Sequence, residues 1–256
     1  MKSIFILTGA GISAESGIQT FRGSNGLWEG HRVEDVASPE GFQRNPALVF
    51  EFYNVRRVKI RQAQPNSAHL ALARLERQFP GTVTVVTQNV DDLHERAGSR
   101  NVIHMHGEVM KARCRNCEGI SPCEGDLDET NVCPECQAVG SLRPHIVWFG
   151  EIPLFMDEIY LALSKADLFI SIGTSGQVYP AAGFAQEASR LGIHTIEINP
   201  DATEISPHFD EHLRGLAGEK VTEWVENLLA TANGIAPLLR NLQATGARAS
   251  CPGSLE

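Results

Sequence analysis

The chain has 256 residues, 42% of them hydrophobic and 21% charged, with a net charge of −9 and a pI near 5.5. That length buries a core without help from disulfides, and the composition is too apolar for a disordered chain. The acidic balance argues against nonspecific nucleic-acid binding, and no apolar run approaches the length of a membrane span.

In chain order, residues 4–7 are predicted as a fully apolar strand. It runs straight into Thr8-Gly9-Ala10-Gly11-Ile12-Ser13, with no room for a leader peptide and its cleavage site, so the expected compartment is the cytoplasm. Pro46–Gln62 is predicted as a helix, with Val49, Phe52, Tyr53, Arg56 and Ile60 recurring at three- and four-residue spacing. Residues 66–79 read as an amphipathic helix capped by Asn66 or Ser67 and ended by Pro80-Gly81. Residues 82–90 and 101–106 read as strands. Residues 114–136 have little apolar periodicity and call for an external staple. Strands are then predicted over Leu168–Ile172 and 194–198, and helices over 181–191 and 219–229. Strands alternating with helices predict an α/β fold with a parallel, doubly wound sheet. From Asn233 the chain is rich in Gly, Ala, Ser and Pro and reads as a loose tail.

Three groups of residues carry chemistry. Gly9-Ala10-Gly11-Ile12-Ser13-Ala14 fits G-x-G-x-x-A behind a strand, where small residues let the backbone approach a pyrophosphate. The plainer alternative is a tight turn with no ligand. The acidic residue expected about 20 positions further on in hydride-transferring dehydrogenases is missing. Gln88-Asn89-Val90-Asp91-Asp92 closes the 82–90 strand, at the end of the sheet where ligands bind. His104 and His106 flank Met105, so an extended strand would face both imidazoles one way. A neutral histidine there serves as a general base; the alternative is a satisfied core histidine. Finally, Cys114 and Cys117 are separated by fifteen residues from Cys133 and Cys136. Four thiolates make a closed tetrahedral Zn2+ site, structural because no position is left for water. Zinc would contribute on the order of 10 kcal/mol to ordering such a segment. A redox Cys-x-x-Cys pair is the alternative, and Cys123 and Cys251 fall outside the pattern.

Taken together these stretches resemble the sirtuin family, the NAD-dependent protein-lysine deacylases. Gly17-Ile18, Thr20-Phe21-Arg22-Gly23, His104-Met105-His106-Gly107, Arg143 to Glu151, Gly173-Thr174-Ser175 and Ile198-Asn199-Pro200 add to the likeness. They occur in the family's order from about residue 4 to residue 220. The resemblance implies a Rossmann-type domain (residues 1–30, 66–108 and 143–232) with an inserted helical module (31–65), a zinc-binding module (109–142) and a flexible tail (233–256). It implies that Gly9, Ala10 and Gly11 face the phosphates of NAD, with Phe21 and Arg22 on a cofactor loop. Gln88 would hold the nicotinamide-side ribose, and Asn89 and Asp91 would line the nicotinamide pocket. Gly173, Thr174, Ser175, Asn199 and Ala217 would take the adenosine half. His106 matches the catalytic base, and His104 its less reactive neighbour.

The implied reaction consumes NAD. The acyl-lysine oxygen attacks the ribose as nicotinamide leaves, His106 deprotonates a ribose hydroxyl, and the products are nicotinamide, O-acyl-ADP-ribose and free lysine. Phe149, Gly150 and Glu151 resemble the strand that pairs with the substrate backbone, and Val147 would line the acyl tunnel. Tyr53 and Arg56, three apart on a helix, share a face. A guanidinium in a tunnel is costly unless it meets an anion, and a dicarboxylic acyl tail supplies one in a bond worth about 1.5–3 kcal/mol. With the small Ala37, this pair resembles the branch that removes succinyl and malonyl groups, whose bacterial members also remove acetyl. The alternative is a solvated Arg56, like Arg57 beside it. Acylated protein lysines are the expected partners of a monomeric enzyme without membrane or nucleic-acid contacts. Protein mono-ADP-ribosylation in the same pocket is the competing activity.

Overall fold

The strand Ser3–Thr8, β1, is apolar from Ile4 to Leu7 and buried on both faces. Ile4 and Ile6 enter one buried cluster, Phe5 and Leu7 another. A strand of this kind requires cover on both sides. This computed structural model describes residues 1–20 and 27–232; Phe21, Arg22, Cys251 and the tail lie outside the described residues.

A 3-10 helix, Ala10–Ser16, follows β1. Next come the hairpin strands Leu27–Trp28 (β2) and His31–Arg32 (β3) and the helices Val33–Val36 (α1), Pro39–Arg44 (α2), Pro46–Gln62 (α3) and Ser67–Gln78 (α4). Thr82–Thr87 (β4), Leu93–Ala97 (α5) and Val102–His104 (β5) complete the first half. Gly107–Cys114 (β6), Ile120–Pro122 (β7) and Leu142–Ile146 (β8) form a small antiparallel sheet. Met156–Ser164 (α6), Leu168–Ile172 (β9), Gly183–Arg190 (α7), His194–Asn199 (β10), Glu211–Arg214 (β11) and Ala217–Ala232 (α8) close the described chain.

The main sheet has six strands in the order β11-β10-β9-β1-β4-β5, all parallel. Numbered along the chain this is 3-2-1-4-5-6, the doubly wound order of dinucleotide-binding sheets. The order reverses between β1 and β9, which opens a crevice at their carboxyl ends. On one face Leu72 and Leu75 of α4 and Val221 and Val225 of α8 cover Ile4 and Ile6. On the other, Ile159 and Leu163 of α6 and Phe184 and Ala188 of α7 cover Phe5 and Leu7.

A third core lies off the sheet. It joins Val49, Phe50, Phe52, Tyr53 and Ile60 of α3 to Val109, Ala112, Leu142 and Ile146 of the antiparallel sheet. Cys114, Cys123, Leu127 and Cys133 belong to it as well, so the 114–136 segment is less bare of core than its sequence reads. Arg57 fastens the two parts. It is fully buried and donates to the carbonyls of Val109 (3.0 Å) and Gly125 (3.1 Å) and to Asn54 Oδ1 (2.7 Å). The expectation of a solvated Arg57 is thus corrected: buried carbonyls leave acceptors that an apolar side chain could not satisfy.

Two strands are shorter than predicted. β4 ends at Thr87, because Gln88 to Asp91 turn away into the crevice, and β5 ends at His104. The strand over residues 101–106 and its common facing of both histidines are therefore not observed. Helix α3 spans the predicted range, and α4 is capped by Asn66, whose side chain accepts from the Ala68 N–H.

Candidate active site

The glycines that follow β1 meet the glycine that follows β9. Gly9 N donates to Ile172 O (2.9 Å) and Gly11 N to Gly173 O (2.8 Å). A Cβ on Gly11 would stand 2.6 Å from Gly173 Cα, and Gly173 itself has φ +61°. The small residues are therefore demanded by loop-to-loop approach, before any ligand is considered. The crevice they border has a cavity volume of about 460 Å³. It is lined by Gly9, Ala10, Gly11, Gln88, Asn89, Asp91, His106, Gly173, Thr174, Ser175, Asn199 and Ala217. The same crevice reaches Ala37, Tyr53, Arg56, Val147, Phe149, Gly150 and Glu151.

Its floor is a polar lattice. Asn89 Nδ2 donates to Gly9 O (3.2 Å) and to Ser13 Oγ (3.1 Å), and Ser13 Oγ donates to Asp91 Oδ2 (3.1 Å). Asp91 Oδ1 accepts from Leu93 N (3.2 Å). Burial pushes the Asp91 carboxyl up, against the pull of these donors. Gln88 Nε2 donates to Thr174 Oγ1 (3.0 Å), and Asn199 Nδ2 to Thr174 O (2.8 Å), tying the two strand ends together. Ser13 sits at the centre of this lattice and was not singled out from sequence. Its place two residues after Gly11 was the available signal.

The two histidines differ by what surrounds them. His106 Nδ1 lies 3.1 Å from Gln88 O, so Nδ1 carries the proton and Nε2 keeps its lone pair. Burial pushes its pKa down, partly offset by that carbonyl. His104 is flanked on both ring nitrogens by acceptors, Asn89 O at 3.3 Å and Glu95 Oε1 at 2.8 Å. Burial opposes its charge, but Glu95 and Glu108 outweigh burial and hold its pKa up. His106 lines the crevice, and His104 does not.

The third core supplies the other wall. Tyr53 is fully buried, its hydroxyl accepts from Trp148 Nε1 (3.1 Å), and burial pushes it up to about 12, so the phenol stays neutral. Arg56 is 6% exposed, not solvated. Its Nη1 donates to Glu29 Oε1 (2.7 Å), and its guanidinium lies 4.2 Å from the Trp28 ring centroid. Burial pushes its pKa down, opposed first by Glu29. Residues 149–151, expected as an extended edge, instead form a turn: Gly150 has φ +91° and Glu151 N donates to Trp148 O (3.0 Å). The Glu151 carboxylate is held by Arg143 and by Trp148 N, and Phe149 N donates to Ala37 O. That turn uses up backbone and carboxylate groups that a free edge would offer.

Outside the crevice, Cys114, Cys117, Cys133 and Cys136 bring four sulfurs within 4.8 Å of one another. Cys114 to Cys136 and Cys117 to Cys133 are each 3.7 Å apart. A tetrahedron with Zn–S of about 2.3 Å has edges of about 3.8 Å, whereas a disulfide requires about 2.05 Å. The donor set fits structural zinc.

The Sir2 family profile matches residues 9–180. A protein of Vibrio cholerae named NAD-dependent protein deacylase is 57% identical over 231 residues, covering 90% of this chain and 94% of that one. A solved Sir2 homolog–NAD complex is 43% identical, covers 90% of this chain and 91% of its own, and superposes with a TM-score of 0.81. A structure of Sir2 bound to acetylated peptide is 30% identical, with coverage of 91% and 94% and a TM-score of 0.72. The chain belongs to the Sir2 family.

Proposed function

We infer that this chain is an NAD-dependent protein-lysine deacylase that removes acetyl and succinyl or malonyl groups. The observation that carries the reading is a single crevice bordered by the glycine loops of a doubly wound sheet, by a neutral histidine and by a buried tyrosine–arginine pair. Membership of the Sir2 family supports it, as do the names of its relatives.

In this reading Gly9, Ala10 and Gly11 take the phosphates of NAD, while Gly173, Thr174, Ser175, Asn199 and Ala217 take the adenosine half. Gln88 holds the near ribose. Asn89 and Asp91 orient the nicotinamide end, fixed by Ser13. His106 receives a proton from a ribose hydroxyl at Nε2, the one ring nitrogen with a lone pair to give. Tyr53 and Arg56 read the far end of the acyl chain, Ala37 leaves room for it, and Val147, Phe149, Gly150 and Glu151 border the lysine. Phe21 and Arg22 keep their expected role on the cofactor loop. Zinc held by the four cysteines supplies no chemistry; it fixes the third core, and with it the acyl wall. The reading makes the protein a cytoplasmic monomer acting on acylated protein lysines, without nucleic acid or membrane. No helix among the described residues is long and apolar enough to cross a membrane.

The test is NAD-dependent release of free lysine from matched acetyl- and succinyl-lysine peptides, with Arg56→Met and His106→Tyr alongside wild type. Loss of both activities in His106→Tyr, and a lower succinyl-to-acetyl ratio in Arg56→Met, support the reading. NAD cleavage without release of either acyl group would instead favour protein mono-ADP-ribosylation.

A further inference from the structure

Glu29 lies in the two-residue turn between β2 and β3, where it has φ +49° and Gly30 has φ +86°. Such a turn favours small or glycine-like residues at both positions. A glutamate held there against its backbone preference has an unusual tie to the site. Its side chain is only 11% exposed, and one carboxylate oxygen meets Arg56 Nη1 at 2.7 Å. The other pairs with Lys59, which is more than half exposed. Glu29 does not line the crevice; Arg56 does. The guanidinium thus stands between an internal carboxylate and the space for the acyl tail. Arg56 Nε, buried, has no hydrogen-bond partner among the described residues. The fork is neutralised on one side and still has a donor to give.

We propose that Glu29 is a specificity-determining residue, the resting counter-ion of Arg56 that allows the acyl site to accept uncharged acyl groups as well as dicarboxylic ones. The inference rests on the reading of Arg56 as the partner of an acyl carboxylate. When an acetyl group occupies the tunnel, an unpaired guanidinium would remain as an uncompensated buried charge, and such charges are strongly unfavourable. Glu29 removes that penalty. The same carboxylate weakens the attraction of Arg56 for an entering anion, since two acceptors then share one cation. The balance between acetyl and succinyl is therefore set by Glu29 and not by Arg56 alone. Lys59 tunes it in turn, by drawing on the second oxygen of Glu29.

The experiment measures kcat/KM for succinyl- and acetyl-lysine peptides of one sequence, at saturating NAD. Glu29→Gln, which removes the charge and keeps the shape, is expected to raise the succinyl-to-acetyl ratio about tenfold, the scale of one charge-assisted hydrogen bond. Most of the change should fall in KM. Glu29→Asp retains a carboxylate and should stay within about threefold of wild type. Lys59→Met, at an exposed position that folding tolerates, leaves Glu29 wholly to Arg56 and should lower the ratio about threefold. An unchanged or lower ratio in Glu29→Gln, or equal shifts in the Gln and Asp variants, overturns the proposal. Should Glu29→Gln fail to fold, a raised ratio in Lys59→Met overturns it alone. Arg56→Met separates the two levels of inference. If it leaves the ratio untouched, the reading of Arg56 itself fails; if it lowers the ratio while Glu29→Gln does not raise it, only the role of Glu29 falls.

Discussion

The Ser13 hydroxyl donates to Asp91 Oδ2 over 3.1 Å, at the floor of the crevice and out of solvent. Asp91 has one other donor among those described above, the Leu93 N–H. A carboxylate deprived of a buried donor loses about 1.5–3 kcal/mol of stabilisation. Ser13→Ala should therefore lower kcat/KM for NAD by tenfold or more while the far-UV circular dichroism is retained. Steady-state kinetics with NAD as the varied substrate decide it, and a wild-type value would remove Ser13 from the site.

The second expectation concerns pH. In the proposed role His106 works as a base only when neutral, and burial lowers its pKa below the ordinary value near 6.5. The active form therefore persists into mildly acid solution. A profile of kcat/KM should be flat at neutral pH and fall on the acid side with a midpoint below 6.5. An acid limb centred above 6.5 would contradict the neutral, carbonyl-anchored ring.

Much of this site was legible in the sequence, and the exceptions have physical causes. The glycines, the strand-end Gln88 to Asp91 and the four cysteines announce themselves, because local spacing carries their chemistry. Arg56 stands out only with the help of the resemblance, and Arg57 reads as solvated. Two adjacent arginines on one helix look alike, yet one faces the crevice and the other is sealed against Val109 and Gly125, residues more than fifty positions away. The resemblance separates His106 from His104, but the cause was hidden, since it depends on Glu95 and Gln88 reaching them in the fold. Glu29 gave no signal, because its partner sits on α3, with β3, α1 and α2 between them along the chain. The turn at 149–151 escaped because only the positive φ of Gly150 reveals it.

Two histidines beneath the floor should make stability depend on pH. His69 and His94 lie with ring centroids 5.0 Å apart, and burial pushes His69 down to about 4 and His94 well below its ordinary value. The unfolded chain then binds more protons than the folded one between about pH 6.5 and 4, so stability is full above 6.5 and drains as pH falls. His69 alone accounts for about 3 kcal/mol over that window. Melting temperature measured from pH 7 to 4.5 should drop, and His69→Gln should flatten the slope. A pH-independent melt in wild type would refute it.

Metal removal should act at a distance. The protein as purified should carry one zinc per chain, measured by elemental analysis. Stripping it with a strong chelator should abolish deacylation and cost several degrees of thermal stability, as ordering energy is withdrawn. Cys133→Ser should reproduce both effects. Full activity in a metal-free chain would show that the thiolates are not a structural site.

The two clusters on the sheet and the third core beside it share no buried residue, yet Ile198 and Ala217 of the first and Ala37, Tyr53, Ile146 and Trp148 of the third line one crevice. The strands that carry the glycine loops are anchored in the first two clusters, and the helix that carries Tyr53 and Arg56 in the third. A change in the packing of α3 therefore need not disturb the packing under the glycine loops. The division into separate cores makes the two walls of the crevice independently alterable parts of one chain.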